Sequence, residues 1–454
     1  MKHFAVAVIA TLMLTGCGDD APSSNTETSP GGIDYVRLYI PEAEVVAIQI
    51  AWPTDWPLRE DANQAVPYIG ADLILAGGAE GFPAREVVEM FADLQVTGRL
   101  SVTSDSVLGS LVAPEENLKK AVEIANAHLR APLLEKRWFE EIQQGFAANM
   151  AEASAATAHQ GFAAVRWAVL GDVPLRRALS VDPPEQITSV TPEDVAQWHR
   201  ETIVRKDAKV VIAGAIDADQ AGAAIDDLFV GLPEAGVRVA TTHSTDFTPR
   251  HILLHMPDSQ TSTLFFVAPM PPTREGSEFE DIILVSALGE GKESVLFEAV
   301  RTQLRATYGL SAHLDAYVRD TRFLYFGGEV ETAKLAQAAT VVREAYASFR
   351  EAGPPQGFLE SLKGPFVAQS KKTAADPVAA STSALMALLD DQDPSVALDL
   401  ASELDRVTSE TLRQRLANAF PAAQDFIIVA VSSDADALPN ACVISEPRDV
   451  LDCQ

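Results

Sequence analysis

Histidine and cysteine are scarce in this chain, and basic side chains are far outnumbered by acidic ones. Its 454 residues include 3 Cys and 8 His, with 35 Lys and Arg against 64 Asp and Glu, for a formal net charge of -29. The shortage of positive charge argues against nucleic acid as a partner, because phosphate binding needs a basic footprint. It argues equally against electrostatic attraction to anionic lipid. No Cys-x-x-Cys pair exists, so a cysteine-based zinc or dithiol redox site has no support. No histidine lies between residues 4 and 127. What is present is ordinary for a globular protein: 47% hydrophobic and 22% charged residues, on a length suited to two to four domains.

Met1-Lys2-His3 is a short basic start, and Phe4 to Leu14 is an apolar run broken only by Thr11. The run is too short to span about 30 Å of hydrocarbon as a helix, but it suits the core of a signal peptide. Leu14-Thr15-Gly16-Cys17 follows and resembles a bacterial lipobox, in which residues 1–16 are removed and Cys17 is acylated. A plain secretory signal with an incidental cysteine is the other reading. Gly18 to Gly32, GDDAPSSNTETSPGG, is small and polar, so residues 17–33 are expected to be an acylated cysteine and a flexible tether. Gly18 follows Cys17 and Asp19 comes next, so an Asp-based inner-membrane retention signal is not in its usual place. The expected location is the cell envelope, lipid-anchored and facing the periplasm, with the outer membrane preferred.

The other cysteines, Cys442 and Cys453, lie in the tail at 441–454. In an oxidising compartment they either form a disulfide across a short loop or remain two free thiols.

The chain repeats itself. Val190-Thr191-Pro192-Glu193 reappears as Val407-Thr408-Ser409-Glu410, an offset of 217. Leu118 and Ala121 meet Leu335 and Ala338 at the same offset, as Asp217-Ala218 meets Asp434-Ala435. Phe139 to Ile142 pairs more loosely with Phe358 to Leu362. The mature chain therefore reads as two similar halves, 34–235 and 246–440, joined by a linker over Leu232 to Pro249. Tyr35 to Ala51 alternates like a strand, whereas Ala84 to Leu94, Leu118 to Leu133 and Leu134 to Ala153 carry apolar residues at helical spacing. Thr191 before Pro192-Glu193-Asp194 predicts a helix start, and Lys209 to Ile216 a buried strand. Each half is thus expected to be α+β.

These segments resemble the insulinase/pitrilysin-type zinc metallopeptidases, in the two-domain branch typified by mitochondrial processing peptidase. In the first half the matching segments are Ala76 to Gly78, 170–203 (LGDVPLRRALSVDPPEQITSVTPEDVAQWHRETI) and 209–233, a strand, turn and helix ending in Leu-Pro. In the second half they are 255–273 (HMPDSQTSTLFFVAPMPPT) and 288–314 (LGEGKESVLFEAVRTQLRATYGLSAHL). The resemblance implies two homologous halves, each a mostly antiparallel sheet covered by helices, facing each other as a shell. It also implies unfolded peptides as substrates.

Active members carry His-x-x-Glu-His on a helix. Residues i and i+4 share one helix face, so both imidazoles reach one Zn²⁺, and the Glu activates the metal-bound water. Anchored on Leu73 to Gly77, the motif falls on Tyr68, Ala71 and Asp72, and the third-ligand position lands near Asn149. None of these residues is of the required type, and a slip of one or two positions supplies no histidine. No cofactor of its own is expected; zinc is expected only in a catalytic partner. The branch also uses an Arg and, seven residues on, a Tyr to hold substrate. Arg305 matches the Arg, while Ala312 stands at the Tyr position and Tyr308 comes four residues early. Arg305 either binds a peptide carbonyl or carboxylate or makes a surface salt bridge. His251 and His255 have helical zinc spacing, but their apolar run reads as a strand, where they stand about 13 Å apart. Gly289 to Lys292 has part of a phosphate-loop pattern, but Ser286 and Glu293 stand where Gly and Ser or Thr are needed, and the segment matches the family's Leu-Gly-Gly loop better.

The expectation is an envelope lipoprotein that supplies half the peptide chamber of a zinc endopeptidase without catalysing, with a zinc-bearing paralogous subunit as partner. A stand-alone peptide-binding or scaffold lipoprotein is the alternative, and an active metalloendopeptidase with an unrecognised site the third.

Overall fold

The computed structural model describes residues 22–84, 86–181, 184–238, 243–304 and 309–453. The first half holds six strands: β1 (Ser23–Thr28), β2 (Asp34–Tyr39), β3 (Val45–Pro53), β4 (Thr97–Val102), β5 (Ser106–Pro114) and β6 (Lys209–Gly214). Its helices are α1 (Val66–Ala76), α2 (Glu86–Asp93), α3 (Glu115–Arg130), α4 (Lys136–Ser154), α5 (Thr157–Leu170), α6 (Pro174–Ser180), α7 (Glu185–Ser189), α8 (Pro192–Thr202) and α9 (Ala218–Phe229). The second half holds β7 (His251–His255), β8 (Ser262–Met270), β9 (Leu310–Ala316), β10 (Arg322–Val330), β11 (Ile427–Ser432) and β12 (Cys442–Ile444). Its helices are α10 (Glu278–Gly289), α11 (Val295–Leu304), α12 (Leu335–Ala352), α13 (Phe358–Ala375), α14 (Pro377–Leu389), α15 (Leu400–Arg406) and α16 (Ser409–Ala419).

The sheets run β1-β2-β6-β3-β5-β4 and β12-β7-β11-β8-β10-β9. Apart from β1 and β12, the two orders are the same. β2 starts at Asp34 and β7 at His251, and β3 at Val45 and β8 at Ser262, so both pairs keep the offset of 217. The central strands are apolar between their ends, Val210 to Gly214 in β6 and Ile427 to Val431 in β11, because both sheet faces are covered. Most strand pairs are antiparallel; β2 with β6, β7 with β11 and β7 with β12 are parallel.

Each sheet buries one face under helices of its own half. The other face is covered by a helix from the opposite half. Ala164, Val165 and Ala168 of α5 pack on Ile252, Phe265 and Val429 of the second sheet. Ala380, Ala384 and Leu385 of α14 pack on Val36, Leu38 and Val211 of the first. The halves face one another through this exchange. Gly161 of α5 is a point of close approach, since a Cβ there would lie 2.9 Å from the Phe265 ring and 3.1 Å from Val431. Arg319 ties the halves at a second place: its backbone N–H donates to Asp105 at 3.2 Å and its guanidinium to Asp390 at 2.7 Å.

Three stretches differ from their sequence reading. Ser23 to Thr28, read as part of a flexible tether, form β1, paired antiparallel with β2. The edge of β2 supplies the backbone partners, and Glu27 takes hydrogen bonds from Tyr35 at 2.7 Å and Arg37 at 2.9 Å. A polar edge strand leaves no apolar alternation to read. Tyr35 to Ala51 is two strands, broken at Pro41, which has no N–H to give a ladder. The tail at 441–454 joins the second half: β12 extends the sheet, and a 3-10 turn over Pro447–Asp452 packs on α5. Cys442 and Cys453 form a disulfide with Cα atoms 5.8 Å apart. Among the described residues, no helix is long and apolar enough to cross a membrane.

Candidate functional site

α1 is seated by a contact that only glycine allows. Trp198 of α8 rests on Gly70, where a Cβ would lie 2.5 Å from the ring. Pro67 in its first turn pre-sets the backbone, and Val66, Ile69, Leu73 and Ile74 bury one side of the helix. Tyr68 then turns toward α4, stacking on Phe146 with ring centroids 5.7 Å apart. Asn149 stands one turn along α4 from Phe146 and is exposed. The positions chosen for the metal motif and for its third ligand therefore lie on two packed helices.

Their chemistry does not suit zinc. Tyr68 donates its hydroxyl to the Ala178 carbonyl at 3.2 Å, and burial raises its pKa, so it stays a neutral phenol. Ala71 is buried and has no polar atom. Asp72 is exposed, and partial desolvation raises its carboxyl above the usual range. Asn149 offers an uncharged amide. One carboxylate does not replace the three ligands a catalytic zinc needs. Among the described residues, no group of three or more His, Cys, Asp or Glu is placed to hold a metal.

The histidines serve elsewhere. His128 Nδ1 hydrogen-bonds the Ile124 carbonyl at 2.8 Å within α3, and His199 Nε2 the Leu129 carbonyl at 2.6 Å. Burial lowers both pKa values. His251 and His255 lie on a strand, at the two ends of β7. Arg305, with Tyr308, and Cys17 lie outside the described residues. Ala312, at the position of the family's Tyr, is buried on β9.

One cation that the sequence reading did not single out stands beside α1. Arg166 of α5 donates to Ser180 Oγ at 3.4 Å, two residues from the carbonyl that holds Tyr68. Burial pulls its pKa down, while Tyr317, Asp315 and Tyr68 act in the opposite sense. A lone arginine in an amphipathic helix carries no sequence signal; only the swap of α5 onto the second sheet places it among these groups.

β4 is the outer strand of the first sheet and runs beside α1. Its outward backbone groups have no strand partner among the described residues, and its side chains alternate between exposed and half-buried. An extended peptide could add to such an edge.

Residues 189–364 match the family model described as the peptidase M16 inactive domain. Over that stretch the chain is similar to a peptidase M16 inactive domain. The match agrees with the sequence resemblance to the insulinase-type family. No curated protein matches the chain in sequence. Solved structures share the chain's fold. A peptidase M16 inactive domain from Pseudomonas fluorescens superposes with a TM-score of 0.80 at 14% identity, over 90% of this chain and 98% of that one. A protease from Helicobacter pylori gives 0.75 at 14% identity, over 90% and 100%. The first half of the periplasmic protease PqqL from Escherichia coli gives 0.69 at 17%, over 92% and 94%. Against the whole of PqqL, 93% of this chain covers 49% of the other.

Proposed function

We propose that the chain is a non-catalytic peptide-handling subunit, anchored by lipid at Cys17 on the periplasmic side of an envelope membrane. It pairs with a zinc-bearing relative and supplies half of the peptide chamber. The observation that carries this reading is the pairing of an intact α1–α4 helix frame with Tyr68, Ala71, Asp72 and Asn149, which hold no zinc ligand set. Binding is the part of peptidase chemistry that such a frame keeps: the open edge of β4 offers backbone hydrogen bonds to any extended chain. The span of this chain over about half of PqqL fits a chamber built from two such units. The lipobox-like start and the disulfide both fit an exported protein.

Co-purification of the tagged full-length chain from its native host tests the partnership. The expected partner is a relative with an intact His-x-x-Glu-His. Recovery of the chain alone, as a monomer that binds unfolded peptide unaided, would favour the stand-alone reading instead.

A further inference from the structure

The order of β1 shortens the free tether. With residues 17–33 all flexible, a lipid on Cys17 would have about 58 Å of reach at about 3.6 Å per residue. With Ser23–Thr28 paired to β2, only the span from Cys17 to Pro22 is left, at most about 18 Å. The strand and the turn after it are secured along their length. Glu27 takes hydrogen bonds from Tyr35 and Arg37, the Gly31 N–H donates to Asp226 at 2.8 Å, and Arg205 donates to the Gly31 carbonyl at 2.8 Å. Pro22 lines a groove of about 630 Å³ with Ile40 and Pro41 of the first half and Lys371, Ala374 and Leu398 of the second. Leu398 ends a 3-10 turn, Pro394–Leu398, that lies beside β1. Lys371 shares the groove with Glu42 and Asp399, so charge does not select an anionic surface there. β1 and β4 are the two outer strands of the first sheet, five strand spacings or about 24 Å apart.

We propose that the groove at Pro22 faces the bilayer and that the open edge of β4 points away from it. The partner of this face is the lipid surface that takes the acyl chains of Cys17. Pro22 sits at the β1 edge, so a span of about 18 Å keeps that edge within reach of the membrane, whereas about 58 Å would let any face approach. Both halves contribute to the face, and the exchange of α5 and α14 fixes its direction relative to β4. A peptide then reaches β4 from the aqueous side. The inference rests on the lipid-anchor reading at Cys17 and adds an orientation to it.

Energy transfer from a dye on the full lipidated chain to acceptor-labelled lipid headgroups tests it, in vesicles of phosphatidylethanolamine and phosphatidylglycerol. Lys371→Cys and Ser101→Cys place the dye at the groove and on β4, both at exposed positions. Cys442 and Cys453 are held in a disulfide and do not compete for the dye. At least twofold greater transfer from Lys371→Cys is expected. Insertion of about twenty Gly and Ser residues after Asp20 should abolish the difference and leave membrane attachment intact. Equal transfer, or greater transfer from Ser101→Cys, overturns the orientation and leaves the anchor standing. A difference that survives the insertion shows that something other than the tether holds the face, and overturns the proposal. Recovery of the chain in the soluble fraction overturns the anchor and the orientation together.

Discussion

At the residue scale, four positions bear on zinc binding and a few histidines on the response to acid. Tyr68 and Asn149 could be placed from sequence because the anchoring segment Leu73 to Gly77 is continuous with α1, and Tyr68 does face α4 near Asn149. Arg166 could not be found that way, because the groups around it come from both halves. If the helix frame is intact, the combined change Tyr68→His, Ala71→Glu, Asp72→His and Asn149→Glu should confer stoichiometric zinc uptake, with none expected in the natural chain, as read by elemental analysis. Uptake by neither protein would show that the frame itself has drifted. The histidines make a separate prediction. Burial lowers the pKa of His128, His159, His199, His243 and His251 below the ordinary value of 6.5. The unfolded chain therefore takes up protons first as pH falls through about 6.5, and stability declines with acidification from there. Glu278 and Asp72 have raised pKa values and act in the opposite sense, from the carboxylate range upward. Five histidines against two carboxyls should let the histidine effect prevail between pH 7 and 6. The urea midpoint should drop over that interval, and His199→Gln should flatten the slope.

At the element scale, the sequence showed the repeat and several helices of the first half, but not which half each helix covers. Nothing in the composition of α5 or α14 says that each lies on the other half's sheet. The signal that survives is small residues: Gly161, Ala164 and Ala168 on α5, and Ala380 and Ala384 on α14, which permit close helix-on-sheet packing. Gly161→Val should therefore cost about 1–3 kcal/mol by overpacking against Phe265 and Val431. Because the contact joins both halves, the loss should appear in one shared unfolding transition, followed by far-UV and tryptophan signals together. β1 was hidden for the converse reason, since its polar residues gain their order from the edge of β2. The C-terminal turn depends on its disulfide. Cys442→Ser with Cys453→Ser should lower stability by about 2–3 kcal/mol in urea unfolding, and reductant should produce a similar loss in the natural chain.

At the scale of the whole molecule, two similar units clasp each other so that neither sheet is covered on both faces alone. Val36, Leu38 and Val211 on one side, and Ile252, Phe265 and Val429 on the other, would face water if the halves were parted. Expressed singly, 34–235 and 246–440 should be insoluble, and co-expression should recover a soluble pair. The duplicated fold was legible because it repeats at one offset; its interlocked assembly was not, because exchange leaves the offset unchanged. The missing zinc ligands and the open strand edge support the proposed reading of a unit that holds peptide and leaves cleavage to another chain. The central claim is tested most directly by incubating the purified chain alone with an unfolded peptide, with and without a chelator. The account predicts no chelator-sensitive cleavage; hydrolysis abolished by chelator and restored by zinc would contradict it.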